Sequence, residues 1–101
     1  MIFNNIVSKP GGSEPTVISK AILVGDTYKL YYPSNATLIG FIGWQNGTMA
    51  AMWSREKGSD EWTNRAHYYI ASMLRIIHNK DHMLFENIDT SYKFDGAIFY
   101  A

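Results

Sequence analysis

His78 and His82 stand four residues apart, with Asp81 between them and Glu86 four residues further on. If one helix carried both imidazoles on a single face, this set could ligate a divalent metal. Two histidines supply only two ligands, whereas a catalytic zinc takes three from the protein. Asn79-Lys80-Asp81 also reads as a helix end rather than an interior, so capping and loop chemistry is the simpler use of these residues. His67 has the chemistry of a general base provided a carboxylate orients it, and Glu86 with His82 has that of an acid–base pair. No Gly-x-Ser-x-Gly elbow, phosphate-binding loop, dinucleotide fingerprint or paired-carboxylate motif occurs. A metal-dependent or acid–base hydrolase built on His78, His82, Glu86 and His67 is therefore the least supported of three readings, and no cofactor is implied.

Aromatic residues and arginines carry the other signal. Most of the tryptophans and tyrosines are expected in the core, where large apolar side chains go. Tyr31 and Tyr68 are the exceptions, because each falls on the polar side of its element, and Tyr68 lies near Arg65 and Arg75. Exposed tyrosine beside arginine is the composition of a protein-binding surface. Trp44 and Trp53, with Tyr69 and Met73, are instead placed to line an aromatic pocket suited to a small molecule or nucleotide.

The elements expected to position these groups make an α+β fold: an antiparallel meander of about four strands, one amphipathic helix packed on the sheet, and one to three short C-terminal strands. Lys9 to Pro15 concentrates proline and glycine, so residues 1–15 read as an arm and loop. Thr16 to Val24 and Thr27 to Tyr32 flank Gly25-Asp26 as a first hairpin, with Val17, Ala21, Leu23, Tyr28, Leu30 and Tyr32 facing the core and Lys20, Thr27 and Lys29 facing water. Thr37 to Gln45 and Thr48 to Ser54 flank Asn46-Gly47 as a second hairpin. A two-residue turn there groups Leu38, Ile42 and Trp44 with Met49, Ala51 and Trp53, leaves Ile39, Phe41, Ala50 and Met52 on the other side, and sets Gly40 under the Trp53 indole. Both faces of this hairpin are apolar, so both need covering, by the N-terminal arm, the C-terminal strands or a second copy of the chain.

Ser59-Asp60-Glu61 has the form of a helix N-cap and acidic first turn. Trp62, Ala66, Tyr69, Ile70, Met73, Leu74 and Ile77 follow at spacings of three and four, which predicts a helix to about His78. Met83 to Ile88 and Tyr92 to Tyr100 read as strands around an Asp89-Thr90-Ser91 turn, with Asp95-Gly96 as a bulge or a further turn.

The chain has 101 residues, enough for one domain over residues 1–101 and too few for two cores. At 47% hydrophobic and 18% charged it carries enough apolar material to fold. Nine basic and nine acidic residues give a formal net charge of zero, so no electrostatic footprint for nucleic acid or an anionic membrane exists. The absence of cysteine excludes disulfide frameworks and thiolate chemistry. Met1 to Ser8 lacks the basic start of a secretory signal, and the longest apolar stretch, Thr37 to Trp44, is far short of the roughly 20 residues of a membrane helix, so a cytoplasmic location is expected. These properties together favour a non-catalytic interaction module that binds a protein partner and self-associates as a homo-oligomer, a format that suits an inhibitor encoded by a phage or mobile element.

Overall fold

The computed structural model describes residues 14–101, so the expected N-terminal arm and loop lie outside the described residues except for their last two positions. The described chain is all β, without a helix. Its eight strands are β1 (Thr16–Ile22), β2 (Thr27–Tyr31), β3 (Leu38–Trp44), β4 (Thr48–Ser54), β5 (Thr63–Tyr68), β6 (Leu74–His78), β7 (His82–Asn87) and β8 (Phe94–Tyr100). Every pairing is antiparallel. A five-stranded sheet in the order β1-β8-β3-β4-β5 faces a three-stranded sheet in the order β2-β7-β6.

The inward side chains of the two sheets meet in one core. Phe41 on β3 is fully buried and takes Phe85 of the opposite sheet edge-on at 5.8 Å and Phe94 of its own sheet at 5.5 Å. Ile22, Leu30, Ile39, Leu74, Met83 and Ile98 close around this cluster. Burying a side chain of this size contributes about 1.5–3 kcal/mol, and the alternation of strand residues supplies such a group at every second position.

The α+β expectation is therefore corrected at the helix. The segment from Asp60 to His78 forms a loop, β5, a turn and β6. The turn is closed by the Met73 and Leu74 amides donating to the Ile70 carbonyl, at 2.9 and 3.1 Å. Thr63, His67, Tyr68, Tyr69, Ile70, Ile76 and Ile77 are β-branched or aromatic and suit a pleated surface better than a helix. The three-and-four spacing arises because two strands straddle a turn. The capping signal is used without a helix: Ser59 Oγ accepts from the Glu61 amide at 3.1 Å. Trp62 then anchors the loop, donating from Nε1 to the Tyr32 hydroxyl at 3.2 Å with the Arg55 guanidinium 4.4 Å over its ring.

The first hairpin is also corrected. Both strands exist, but β1 pairs with β8 and β2 with β7, so the turn carries the chain from one sheet to the other. The Asp26 amide donates to the Leu23 carbonyl at 2.9 Å, and Gly25 takes the positive φ of 83° that glycine tolerates. Tyr28, Leu30 and Tyr32 face inward as expected, whereas Val17, Ala21 and Leu23 are exposed. Lys20 turns out to share the inward side of β1 with Ile18 and Ile22, its ammonium 5.0 Å over the Tyr28 ring. Asp95-Gly96 lies inside β8 with no break in register toward either neighbour.

The second hairpin forms, with its faces exchanged. The two strands' faces exchange partners because Trp44 pairs with Thr48, making the loop three residues, Gln45 to Gly47. One residue of slip turns every side chain over, so Ile39 and Phe41 share the core with Met49, Ala51 and Trp53 while Leu38, Ile42 and Trp44 face out with Ala50 and Met52. The Gly40 backbone is covered by the Phe99 ring, which a Cβ there would meet at 2.5 Å. Gln45 explains the slip: it is buried, and its Nε2 donates to Asn87 Oδ1 at 2.9 Å, the Tyr92 carbonyl at 3.1 Å and the Met73 carbonyl at 3.3 Å. Drawing this amide inward removes it from the ladder.

Candidate functional site

The outer face of the five-stranded sheet is the feature that a folded monomer does not need. Its composition follows from the register. One row across the strands reads Ser19, Ala97, Ile42, Ala50 and Tyr68; the next reads Val17, Phe99, Gly40, Met52 and Ala66. Among the described residues no segment packs over these rows, and Val17 is 61% exposed, Ile42 60%, Tyr68 70%, Trp44 48% and Met52 36%. Trp44 closes one end of the face against Tyr92, ring edge to ring face at 6.1 Å. Charge is confined to the margin. Lys93 and Asp95 lie 4.0 Å apart near Trp44, and at the other end Arg65 Nε donates to Ser54 Oγ at 2.8 Å from the irregularity in the β4–β5 pairing. Contiguous exposed apolar area of this kind makes the face a candidate interaction surface.

The outer face of the three-stranded sheet has a different chemistry. Arg75 grips Glu86 through two hydrogen bonds of 3.0 and 3.3 Å, and this carboxylate raises the guanidinium pKa further. His82 is held at both ring nitrogens: Asn79 Nδ2 lies 3.1 Å from Nε2 and Asp81 Oδ1 lies 2.9 Å from Nδ1. With the amide donating to Nε2, the ring carries its proton on Nδ1 and donates it to Asp81, whose pKa that bond lowers. Tyr31 leans on this imidazole at 5.1 Å.

The sequence-derived candidates divide between these faces. Tyr68, Arg65 and Trp44 lie on or beside the apolar face; Tyr31 and Arg75 lie on the polar one, on β2 and β6 with β7 between them. Trp53 points into the core, so it cannot line a pocket with Trp44. His78 and His82 project to opposite faces of their hairpin, because His78 shares the inward side with Leu74 and Ile76 while His82 shares the outward side with Tyr31. His78 packs edge-on against Trp53 at 5.2 Å, and burial lowers its pKa. His67 stacks on Tyr69 at 4.1 Å, with no carboxylate bonded to it among the described residues. Burial raises the Tyr69 hydroxyl pKa. Glu86 lies four strand residues from His82, about 13 Å along β7, and is committed to Arg75. Among the described residues no three metal-ligating side chains gather.

Two shallow grooves open elsewhere. One of about 480 Å³ is lined by Tyr32, Arg55, Ser59, Asp60, Lys80 and Asp81. The other, of about 400 Å³, lies between the Gln45 to Met49 loop region and His67 to Ile70. Neither collects the aromatic set expected to bind a small molecule. Ile42, Met52, Val17 and Phe99 are the surface residues that sequence reasoning did not single out, although the two-sided apolar character of the second hairpin was the signal for them. No protein-family model, curated protein or solved structure matches the chain.

Proposed function

We propose that this protein is a non-catalytic interaction module that docks a protein partner on the outer face of its five-stranded sheet. The observation that supports this reading is a single one: two adjacent rows of largely apolar side chains, with charge only at the margin, lie open on a sheet whose other face already forms the core. An aliphatic centre of Ile42, Val17 and Met52 suits a protein surface better than a sugar, which stacks on aromatic rings, or a nucleic acid, which requires cations. The cysteine-free sequence fits a cytoplasmic setting, where thiols stay reduced. A photo-crosslinking residue placed at position 42 is expected to form covalent protein adducts, while the same residue at position 75 forms none. Adducts from position 75 alone would move the binding surface to the other sheet and overturn the reading.

A further inference from the structure

We infer that Asn46 is a self-modification site, at which the Gly47 amide closes on the asparagine side chain and converts it, with loss of ammonia, to aspartate and isoaspartate. The inference is independent of the docking surface proposed above. Its warrant is the way the fold treats the five described asparagines. Intramolecular attack needs a side-chain amide that nothing holds, an unengaged amide nitrogen on the next residue, and little bulk on that residue. Asn87 is buried, its Nδ2 donates to the Ile22 and Tyr92 carbonyls at 2.9 and 3.0 Å, and the following amide, that of Ile88, donates to the Met73 carbonyl at 3.0 Å. Asn64 Nδ2 donates to the Met52 and Ala66 carbonyls at 3.3 and 2.9 Å, and Asn79 Nδ2 is held 3.1 Å from His82 Nε2. Asn35 is exposed, but the Ala36 amide that follows it donates to the Pro33 carbonyl at 3.0 Å.

Asn46 is the one described asparagine that meets all of these conditions. It is exposed, and no hydrogen bond holds its side chain among the described residues. The backbone bond of the loop, from the Gln45 amide to the Gly47 carbonyl at 2.9 Å, occupies the oxygen of Gly47 and leaves its nitrogen. Gly47 has no side chain to obstruct the approach, and nothing lies within 4 Å of where a Cβ would stand. The attack forms a bond from Gly47 N to Asn46 Cγ and breaks the bond from Cγ to the side-chain nitrogen, which leaves as ammonia with the Gly47 amide proton. Water then opens the cyclic imide. Cleavage at Cγ restores the ordinary main chain with an aspartate, and cleavage at the main-chain carbonyl of residue 46 gives isoaspartate, whose extra carbon lies in the main chain. Water is consumed, ammonia is released, and no electron is transferred.

The isoaspartyl form strikes beside the side chain that ties this hairpin to the opposite sheet. Gln45 immediately precedes the site, and its buried Nε2 is bonded to Asn87 Oδ1 and to the Met73 and Tyr92 carbonyls. Its Oε1 is buried without a partner among the described residues, so the amide nitrogen alone holds the side chain inward. A longer main chain between Gln45 and Gly47 opens the bond that closes the loop, and the new carboxylate draws the loop toward water. Conversion at Asn46 therefore loosens the Gln45 anchor as the protein ages.

Peptide mapping by mass spectrometry of the folded full chain, held at physiological pH and temperature beside a parallel sample in urea, tests this. Position 46 is expected to gain one mass unit at least about tenfold faster than Asn35, Asn64, Asn79 or Asn87, the ratio expected when hydrogen bonds withhold the others from reaction. An endoprotease that cuts before aspartate but not before isoaspartate separates the two products. An Asn46 that survives in the folded chain and converts in urea overturns the inference, because the loop would then withhold the nucleophile. Conversion of another described asparagine at a comparable rate overturns it as well. The isoaspartate fraction should melt about 4–8 °C below the fresh chain, the shift that loss of one interaction gives a domain of this length. Asn46→Gly, which suits the positive φ of 52° and carries no amide, should show no fall on ageing. An isoaspartate fraction that melts with the fresh chain overturns the loosening of Gln45, and an equal fall in Asn46→Gly overturns residue 46 as its source.

Discussion

The outer faces of the two sheets use the same strand alternation to opposite ends. On the three-stranded sheet paired polar groups stand on either side of a short Leu84–Ile77 row: Arg75 grips Glu86, and His82 is held between Asn79 and Asp81 under Tyr31. On the five-stranded sheet Ile42, Met52, Val17 and Tyr68 have only water to face among the described residues. A finished polar surface needs no partner, whereas an apolar one gains from being removed from water. The inner and outer sides of β3 sharpen the contrast, since Phe41 and Ile42 are sequence neighbours with opposite fates.

The largest effect should come from that pair. Phe41→Ala removes a ring that touches Phe85 and Phe94 and should cost about 3–5 kcal/mol, whereas Ile42→Ala, measured by urea unfolding at concentrations too low for association, should stay within about 0.5 kcal/mol. A comparable loss at Ile42 would mean that the outer face is buried in the monomer. An intermediate effect is expected with pH. Burial against Trp53 keeps the His78 pKa low, so the unfolded chain takes up this proton more readily than the folded one. This contribution to stability is complete where the imidazole is neutral, and declines as pH falls through about 6.5, the ordinary histidine value. Melting temperatures followed from about pH 8 to about pH 5 should show a loss that is smaller in His78→Phe, which keeps a ring beside Trp53. An equal loss in both would assign it to other groups. The smallest effect belongs to the polar face: Arg75→Ala should leave the melting temperature unchanged at physiological salt, as exposed ion pairs do, and should leave association untouched. Weakened association would show that the two faces are not as separate as their chemistry indicates.

Strand positions were legible in the sequence wherever alternation met a turn residue. Asn46-Gly47, the Met83 to Ile88 strand and the Asp89 turn all follow from local chemistry, and the last is held by the Tyr92 amide donating to Asp89 Oδ2 at 2.9 Å. Partnerships between distant strands were not legible. Nothing in Thr16 to Ile22 names β8 as its neighbour, and a glycine turn before Thr27 serves a crossing between sheets as well as a hairpin. The second hairpin shows how one side chain overrides a pattern: Gln45 reads as an ordinary turn-flanking residue, and its inward amide network exchanges the two faces. The helix was misread because Trp62, Tyr69 and Leu74 each reach apolar surroundings by a different route, one in a loop, one beside Phe41 and one at the start of β6. Of the candidate site, its two-sided apolar hairpin was legible and its membership was not.

The position of β8 has a consequence for biosynthesis. This strand lies between β1 and β3, so the five-stranded sheet is joined through residues 94–100, which follow every other described strand. While the ribosome is still adding them, β1 has no neighbour among the described residues, and the meander of β3, β4 and β5 carries apolar residues on both sides with its β3 edge open as well as its β5 edge. Pairing of strands as far apart in sequence as β1 and β8 is slow, because loop closure must precede any gain from contact. The nascent chain must therefore remain soluble without its joining strand, and the interval before β8 arrives is when this protein is most exposed to aggregation.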